Sequence, residues 1–161
     1  GLEGKYEAYE EASRIPLIVR MPGGPHGVVR DGLVSAVDFF PTLLDWASCP
    51  IPAGLEGASF TPLVADGTTG NERTVFAEGH TWCMVRRGTW KLVTERRGAI
   101  LEHTAPATPP GAPTHLFDLA NDPYEMNNQL DDPSCATIRT ELLALILDWW
   151  DRGVGSVAVE G

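Results

Sequence analysis

A short aliphatic run near the start of the chain constrains the fold most. Ile15, Leu17, Ile18 and Val19 stand in near succession, and Met21-Pro22-Gly23-Gly24 closes the run. An aliphatic run of this length, bounded by turn residues, is typical of a strand that is covered on both faces. We therefore predict a strand of a parallel sheet here, which places the chain in the α/β class.

A helix is predicted to follow this strand after a glycine-containing loop. It begins near Asp38, whose carboxylate is expected to cap the free amide of Phe40, and Pro41 falls in the first turn, where no intrahelical amide is needed. The residues Cys49-Pro50-Ile51-Pro52 end it. Residues 53–70 are then predicted to be a loop, pinned to the surface by a few apolar side chains.

The second half of the chain changes to the pattern of short strands. Runs rich in Val, Trp, Phe and Thr occupy residues 73–78, 82–87, 89–96 and 115–119, with a tight turn at Arg87-Gly88. Residues 104–113, which are rich in Pro and Ala, are predicted to be a loop. These runs predict a meander of antiparallel strands.

The last element is a helix, with Asp132 at the cap and Pro133 at the first position. Its apolar residues recur at helical spacing: Ile138, Leu142, Leu145, Ile146, Trp149 and Trp150. We expect this stripe to pack on the meander. The predicted organisation is a strand, helix and loop of an α/β domain in residues 1–70, and a C-terminal subdomain of meander and helix in residues 71–161.

Composition excludes two classes of partner. The chain has 161 residues with a net charge of −10, and its basic residues pair up only at Arg86-Arg87 and Arg96-Arg97, which argues against nucleic-acid binding. No apolar run approaches the roughly 20 residues of a membrane span. The hydrophobic fraction of 43% is typical of a soluble globular protein. The sequence does not distinguish a cytoplasmic from a periplasmic location. Because the first residue is Gly1 and no signal peptide is visible, we expect the natural protein to extend upstream.

The charged segment before the aliphatic run carries a family resemblance. Lys5, then Tyr9-Glu10-Glu11, then Arg14 and Pro16 form a pattern that resembles the sulfatase family of the alkaline-phosphatase superfamily, just after its last metal-binding motif. The resemblance continues, in the family's order, through residues 37–44, 55–63, 84–92 and 116–128. It implies that the chain is the C-terminal part of an alkaline-phosphatase-like sulfatase fold, ending in a small antiparallel sheet packed against a C-terminal helix.

The resemblance also assigns a catalytic residue. Lys5 matches the family's active-site lysine, and a compact ammonium suits the oxygens of a sulfate ester, which need fixed positive charge around them. On spacing alone, Lys5 would be a surface lysine paired with Glu7 or Glu10. The resemblance further implies a divalent metal, Ca²⁺ by preference, a formylglycine nucleophile and activating histidines, all upstream of Gly1.

The three cysteines do not supply the nucleophile. In the family, formylglycine arises from the cysteine of a Cys-x-Pro/Ala-x-Arg segment. Cys135-Ala136-Thr137-Ile138-Arg139 has Thr at the third position and lies in the predicted helix, and Cys49-Pro50-Ile51-Pro52 lacks the arginine. With no Cys-x-x-Cys pair, a disulfide framework is not expected either.

Several other residues have a functional and a structural interpretation. His80 and Trp82 are candidate contacts for the organic part of a substrate. In the structural interpretation, His80 is a solvated histidine and Trp82 is a partly buried aromatic residue at the edge of the sheet. The acidic residues of the turn at 121–125 favour turn chemistry over a metal site. Arg14 is expected to pair with Glu10 or Glu11, and Lys91 is expected to be kinetically neutral.

We expect the intact protein to hydrolyse a sulfate ester of a small molecule or carbohydrate. The alternative within the superfamily is a phosphodiesterase or phosphonate monoester hydrolase. A third hypothesis is a non-catalytic module that docks on a partner through an exposed sheet face. No sequence feature indicates an oligomeric state.

Overall fold

The computed structural model describes residues 6–67, 73–96 and 109–153. The chain divides into two compact units, one formed by residues 1–15 together with 76–161 and the other by residues 16–75. The start of the chain thus belongs to the same unit as the meander. The predicted division of the protein at residues 70 and 71 stays a prediction. No described helix is long and apolar enough to cross a membrane.

The predicted meander is confirmed. Strands β1 (Thr74–Glu78), β2 (Trp82–Arg87), β3 (Trp90–Arg96) and β4 (Pro110–Asp118) lie side by side in sequence order. The β2–β3 and β3–β4 pairs are antiparallel. Gly88 makes the tight turn between β2 and β3 with a positive φ of 58°, a conformation that suits glycine.

The last strand extends further back than the sequence predicts. Pro110 and Pro113 belong to β4, whereas we predicted a loop through residue 113. Proline is tolerated there because β4 is an edge strand, and the register with β3 is irregular between Val93 and Arg96. The part of the predicted loop at 104–108 lies outside the described residues.

The final helix forms and packs as predicted. The Asp132 side chain accepts the amide of Ser134 at 2.8 Å, a 3₁₀ turn covers Pro133–Cys135, and helix α4 covers Ala136–Gly153. Its buried side chains join residues of three strands in one core: Cys83, Val85, Leu92, Leu116, Cys135, Leu142 and Ile146. Alternation along the strands brings those strand residues to the same face of the sheet.

The opposite face of the sheet is covered by the start of the chain. We call residues 6–15 the entry segment; it contains the single helical turn α1 (Glu10–Ser13). Ala8 packs there in a second buried cluster with Trp82, Met84 and Val93. The sheet is therefore enclosed by α4 on one side and by the entry segment on the other.

The predicted buried strand at residues 15–19 is wrong for the described structure. The segment has no regular secondary structure, and Ile15 is 52% and Ile18 92% exposed. A strand needs a neighbour to pair its amides and carbonyls. Among the described residues no strand pairs with residues 15–19, so Ile15, Leu17 and Ile18 stay exposed.

In the second unit, Asp38 is a buried anchor and not the predicted cap of Phe40. A 3₁₀ turn covers Ala36–Asp38 and precedes helix α2 (Phe39–Trp46). The carboxylate accepts the amides of Ser35 at 2.7 Å and Ala58 at 3.0 Å, and it forms an ion pair with Arg73. Ala58 and Arg73, which are 20 and 35 positions away, bind the carboxylate in place of the Phe40 amide. The local sequence pattern does not reveal such distant partners.

The predicted loop at residues 53–70 contains a short helix, α3 (Thr61–Ala65). Its neighbour Phe60 is buried and places its ring 5.8 Å from Phe39 and 5.9 Å from Trp46, between ring centroids. Gly57 approaches the backbone closely, since a Cβ there would lie 2.0 Å from the carbonyl oxygen of Val37. This segment is thus packed more tightly than the loop prediction implied.

Candidate functional site

The predicted catalytic residue, Lys5, lies outside the described residues, so the site is built from its neighbour onward. Tyr6 is bonded to Lys5 and begins the described chain. Consecutive Cα atoms are about 3.8 Å apart across a trans peptide. The contacts of the entry segment therefore define the framework next to Lys5.

Trp82 anchors Tyr6. The indole Nε1 of Trp82 donates a hydrogen bond to the carbonyl oxygen of Tyr6 at 2.7 Å, and the Trp82 side chain is buried. Gly79 makes room for this ring, because a Cβ there would lie 2.4 Å from Cε2 of Trp82. The Gly79 amide also donates to the Trp82 carbonyl at 2.9 Å. Trp82 is therefore held from two sides.

A partly buried group of four charged side chains, which we call the charge cluster, fixes the entry segment at Glu10. Its members are Glu10, Arg86, Lys91 and Glu125. The Lys91 ammonium lies 2.7 Å from Glu125 Oε1 and 3.2 Å from Glu10 Oε1. Arg86 Nη1 lies 2.8 Å from Glu10 Oε2. The side chains of Lys91 and Glu125 are both 0% exposed, so this pair is withdrawn from solvent.

Two cations and two carboxylates balance the formal charge of the cluster. Removing charges from water costs several kcal/mol per ion, and the cost is recovered only when each charge is well paired. Glu125 meets this condition with a further bond, because its Oε2 accepts the backbone amide of Glu10 at 2.6 Å. The cluster therefore binds the entry segment through main chain and side chain together.

The turn at residues 121–125 presents Glu125 to the cluster. The Asp122 carboxylate accepts the amides of Met126 at 3.0 Å and Asn127 at 2.8 Å, which confirms the predicted turn chemistry. Glu125 itself has a φ of 54°, in the left-handed region that few residues other than glycine adopt. The turn thus directs the Glu125 carboxylate inward, to the buried ammonium of Lys91.

The charge cluster was not predicted from the sequence, although one signal was present. Lys91 alternates with Val93 on the face of β3 that packs against the entry segment, so a lysine there has to be buried with a partner. Arg86 is likewise an ion-pair partner of Glu10. The Glu10 carboxylate pairs with Arg86 and Lys91 and not with Arg14, which was predicted to pair with Glu10 or Glu11.

A shallow cleft of about 180 Å³ lies beside the entry segment. Its lining includes Glu7, Tyr9, Trp82, Glu95 and His115. The ring of Tyr9 packs 6.1 Å from that of Phe117 and 6.0 Å from that of His115, measured between ring centroids. His80 is exposed, and its ring lies 6.3 Å from that of Tyr6. The cleft thus lies against Glu7 and Tyr9, and His80 lies beside Tyr6.

Comparison with known proteins shows the family. The sequence model of the N-sulphoglucosamine sulphohydrolase C-terminal family matches residues 1–150. The chain is 34% identical over 131 residues to human arylsulfatase K, covering 77% of this chain and 24% of that protein. The chain belongs to the sulfatase family.

Solved structures agree with this membership and with the predicted fold. A 2-O GAG sulfatase is similar with a TM-score of 0.55 and 27% identity, over 71% of this chain and 24% of that one. A phosphonate monoester hydrolase from Silicibacter pomeroyi has a TM-score of 0.71 over 97% of this chain and 33% of its own. At 23% identity, the latter shows the fold alone. The predicted C-terminal part of an alkaline-phosphatase-like sulfatase fold is confirmed.

The sulfatase chain spans about a quarter of the length of the curated relatives it matches, between 22% and 28%. The segments that carried the resemblance meet in the structure, since Glu10, Lys91 and Glu125 come from three of them. The charge cluster is therefore built from sulfatase-like sequence.

The cysteines of the sulfatase chain have the character of structural residues. Burial raises the pKa of the Cys83 thiol to about 11, so little thiolate exists at neutral pH. Cys135 is buried in the core against α4, whereas Cys49 is exposed. Within residues 6–67, 73–96 and 109–153, no three His, Cys, Asp or Glu side chains are grouped so that they could hold a metal ion. The described residues do not form the Ca²⁺ site that the resemblance implies.

Proposed function

We propose that the intact protein is a sulfuric ester hydrolase that cleaves a sulfate ester of a carbohydrate, and that Lys5 contributes positive charge to its active site. The formylglycine nucleophile and the ligands of the divalent metal, Ca²⁺ by preference, would lie upstream of Gly1. The observation that carries this proposal is the anchoring of the entry segment: the residues that follow Lys5 are fixed to the sheet by Trp82 and by the charge cluster.

The role of Lys5 follows from the chemistry of the ester. Hydrolysis displaces an oxygen leaving group from a sulfate that already carries negative charge, so donors placed where further charge develops lower the barrier. An ammonium has three donors and a compact charge, and it can meet both a sulfate oxygen and the leaving oxygen. Such a lysine acts only if its backbone is held in place, and the anchors of Tyr6 and Glu10 supply that support.

A carbohydrate substrate is supported by the names of relatives and by the surroundings of Tyr6. One structural relative is described as a 2-O GAG sulfatase. His80 is exposed beside Tyr6, which suits the proposed contact with the organic part of a substrate. We propose that Trp82 contacts the substrate only through the face or edge of its ring, because its indole N–H already donates to the carbonyl oxygen of Tyr6.

The test uses the full-length protein with and without Lys5→Ala. If Lys5 meets charge that develops in the transition state, kcat falls, and kcat/KM for a chromogenic aryl sulfate falls on the order of 10²-fold or more. Lys5→Arg should restore little, because a planar guanidinium does not replace a point charge. Arg152→Ala, which removes an exposed cation on α4, is the control and should leave kcat/KM unchanged. Near-normal kcat and KM for Lys5→Ala would show that Lys5 is an ordinary surface lysine.

The 161-residue chain alone is expected to hydrolyse neither an aryl sulfate nor an aryl phosphate. Neither Cys49 nor Cys135 lies in a Cys-x-Pro/Ala-x-Arg segment, and the described residues hold no metal-binding group. Turnover by the purified chain that disappears in Cys135→Ala would contradict this expectation.

The second candidate is a phosphonate monoester hydrolase, because a protein of that activity shares the fold over 97% of this chain. Both activities need a cation near an anionic ester, so Lys5 suits either. The ratio of kcat/KM for an aryl sulfate and for an aryl phosphonate monoester, measured on the full-length protein, decides between them. A ratio in favour of the phosphonate would replace the sulfatase proposal.

A further inference from the structure

We propose that Trp82 and the charge cluster are positioning residues for Lys5: they hold Tyr6 and Glu10 of the entry segment against one face of the sheet, and the activity of Lys5 depends on this support. This inference rests on the proposed function, because it requires Lys5 to act on the ester. It assigns a role in activity to residues that do not touch the substrate.

The anchor at Trp82 acts on the residue directly after Lys5. The indole N–H holds the Tyr6 carbonyl at 2.7 Å, and Gly79 leaves the space that this ring orientation needs. Tyr6 itself is 64% exposed, so its own side chain contributes little burial to keep it in place. The backbone at this point therefore depends on the hydrogen bond from Trp82.

The second anchor acts four residues further on. Glu125 accepts the Glu10 amide, and Lys91 and Arg86 hold the Glu10 side chain at 3.2 Å and 2.8 Å. These contacts stop the entry segment from sliding along the sheet, because they fix both the main chain and the side chain of one residue. Charged groups in such a buried arrangement have few alternative positions.

The two anchors lie on the same rigid support. Trp82, Arg86 and Lys91 belong to the paired strands β2 and β3, and between the anchors Ala8 is buried against Met84 and Val93. A shift of Tyr6 is passed to Lys5 through one peptide bond, with the Cα atoms about 3.8 Å apart. Because a misplacement of about 1 Å at a catalytic group can cost on the order of 10²-fold in rate, small losses of anchoring are expected to be measurable.

The competing explanation is that these residues only stabilise the fold. A purely structural residue lowers the fraction of folded enzyme, or its thermal stability, and does so whether or not Lys5 is present. A positioning residue acts through Lys5, so its effect on the rate disappears when Lys5 is gone. A double-mutant cycle separates the two explanations.

The experiment measures kcat, KM and the inhibition constant of inorganic sulfate for the full-length protein, with rates scaled to the folded fraction. Trp82→Phe removes the N–H and keeps an aromatic ring, and Glu125→Gln removes the charge and keeps the shape. Each is made alone and with Lys5→Ala. Trp150→Phe, on the α4 face of the sheet, and Glu141→Gln, in an exposed pair with Arg87, are the matched controls.

We expect Trp82→Phe and Glu125→Gln each to lower kcat/KM by about ten-fold and to raise the inhibition constant of sulfate, with no further loss in the Lys5→Ala background. The controls should leave both quantities unchanged. The inference is overturned by equal losses with and without Lys5, or by no loss at all. If one variant does not fold, the cycle on the other decides. Full activity of Lys5→Ala overturns the proposed function and this inference with it, whereas a loss there with additive cycles overturns the inference alone.

Discussion

The Oε2 atom of Glu125 accepts the backbone amide of Glu10 at 2.6 Å, although 115 positions separate the two residues. Glu10 is the first residue of α1, where the amide has no partner inside the helix. A helix of one turn is not stable by itself, since nucleation is costly and few bonds are gained. The position of α1 therefore depends on a side chain from the other end of the chain.

Loss of the buried ammonium should destabilise the fold. Lys91→Ala leaves the Glu125 carboxylate buried without its cation, and breaking a buried pair in this way costs about 3–5 kcal/mol of unfolding free energy. Urea denaturation followed by tryptophan fluorescence measures the change. Arg87→Ala, which breaks the exposed pair with Glu141, is the control, with a loss of about 1 kcal/mol or less.

The burial of Lys91 also decides whether Lys91→Ala can serve as a control in the kinetic experiments. We expected Lys91→Ala to be neutral, but Lys91 is buried in the charge cluster, so it is unsuitable as a neutral control. A Lys91→Ala protein as stable as the wild type would show that the cluster contributes no net stability.

The sequence predicts the parts of the fold that are governed by local patterns. Apolar spacing and Asp132 are enough for α4, and alternating strands with Gly88 are enough for the meander. The roles of Asp38 and Glu125 were not predicted, because they depend on distant partners and not on local pattern. These partners, Arg73 for Asp38 and Lys91 for Glu125, are tens of positions away in the sequence. Local pattern gives secondary structure, whereas the burial of a charge depends on contacts that a single sequence does not display.

The aliphatic residues at 15–19 are a second case in which local pattern does not determine the structure. Their composition predicts a buried strand, yet pairing needs a neighbour that the described residues do not provide. The role of Lys5 could be inferred only through a family resemblance, because a lysine next to acidic residues has no local signature of catalysis.

Hydrogen exchange on the 161-residue chain should separate the protected core from this segment. Amides at 84–93 and 142–149 are bonded within β2, β3 and α4 and should exchange slowly. Amides at 15–19, which have no regular secondary structure, should exchange fast. Equal protection in both regions, measured by mass spectrometry of peptic peptides, would mean that residues 15–19 are paired in solution.

Thiol titration should find one reactive cysteine in the native chain. Cys49 is exposed, whereas Cys135 is buried and burial raises the pKa of Cys83 to about 11. Because the thiolate is the reactive form, a chromogenic disulfide reagent at neutral pH should modify one thiol quickly and the other two only after unfolding. Cys49→Ser is the matched variant and should abolish the fast phase. Fast modification of Cys135 in the native chain would contradict its buried position.

The cap of the last helix should make stability sensitive to acid. Hydrogen bonds from the Ser134 hydroxyl and amide lower the pKa of Asp132 below its usual 3.8. The folded state thus favours the charged carboxylate, so this stabilisation is complete above 3.8 and is lost as the pH falls through the lower folded pKa.

Asp132→Asn keeps the capping shape and removes the charge. We expect a lower melting temperature than wild type at neutral pH and a shrinking difference as the solution is acidified below 3.8. Asp131→Asn removes a charge one position earlier and leaves the bonds to Ser134 in place, so it controls for net charge. A difference that does not depend on pH would indicate that the carboxylate gains nothing from its charge.

The arrangement of the first unit also sets the order in which it is completed during synthesis. The entry segment leaves the ribosome before its partners, which follow only after the whole of the second unit has been made. At about 5–20 residues per second, the 115 positions between Glu10 and Glu125 take roughly 6–23 s to translate. During that interval the nascent chain carries the entry segment without the sheet that receives it, which makes this the stretch on which a ribosome-associated chaperone would act.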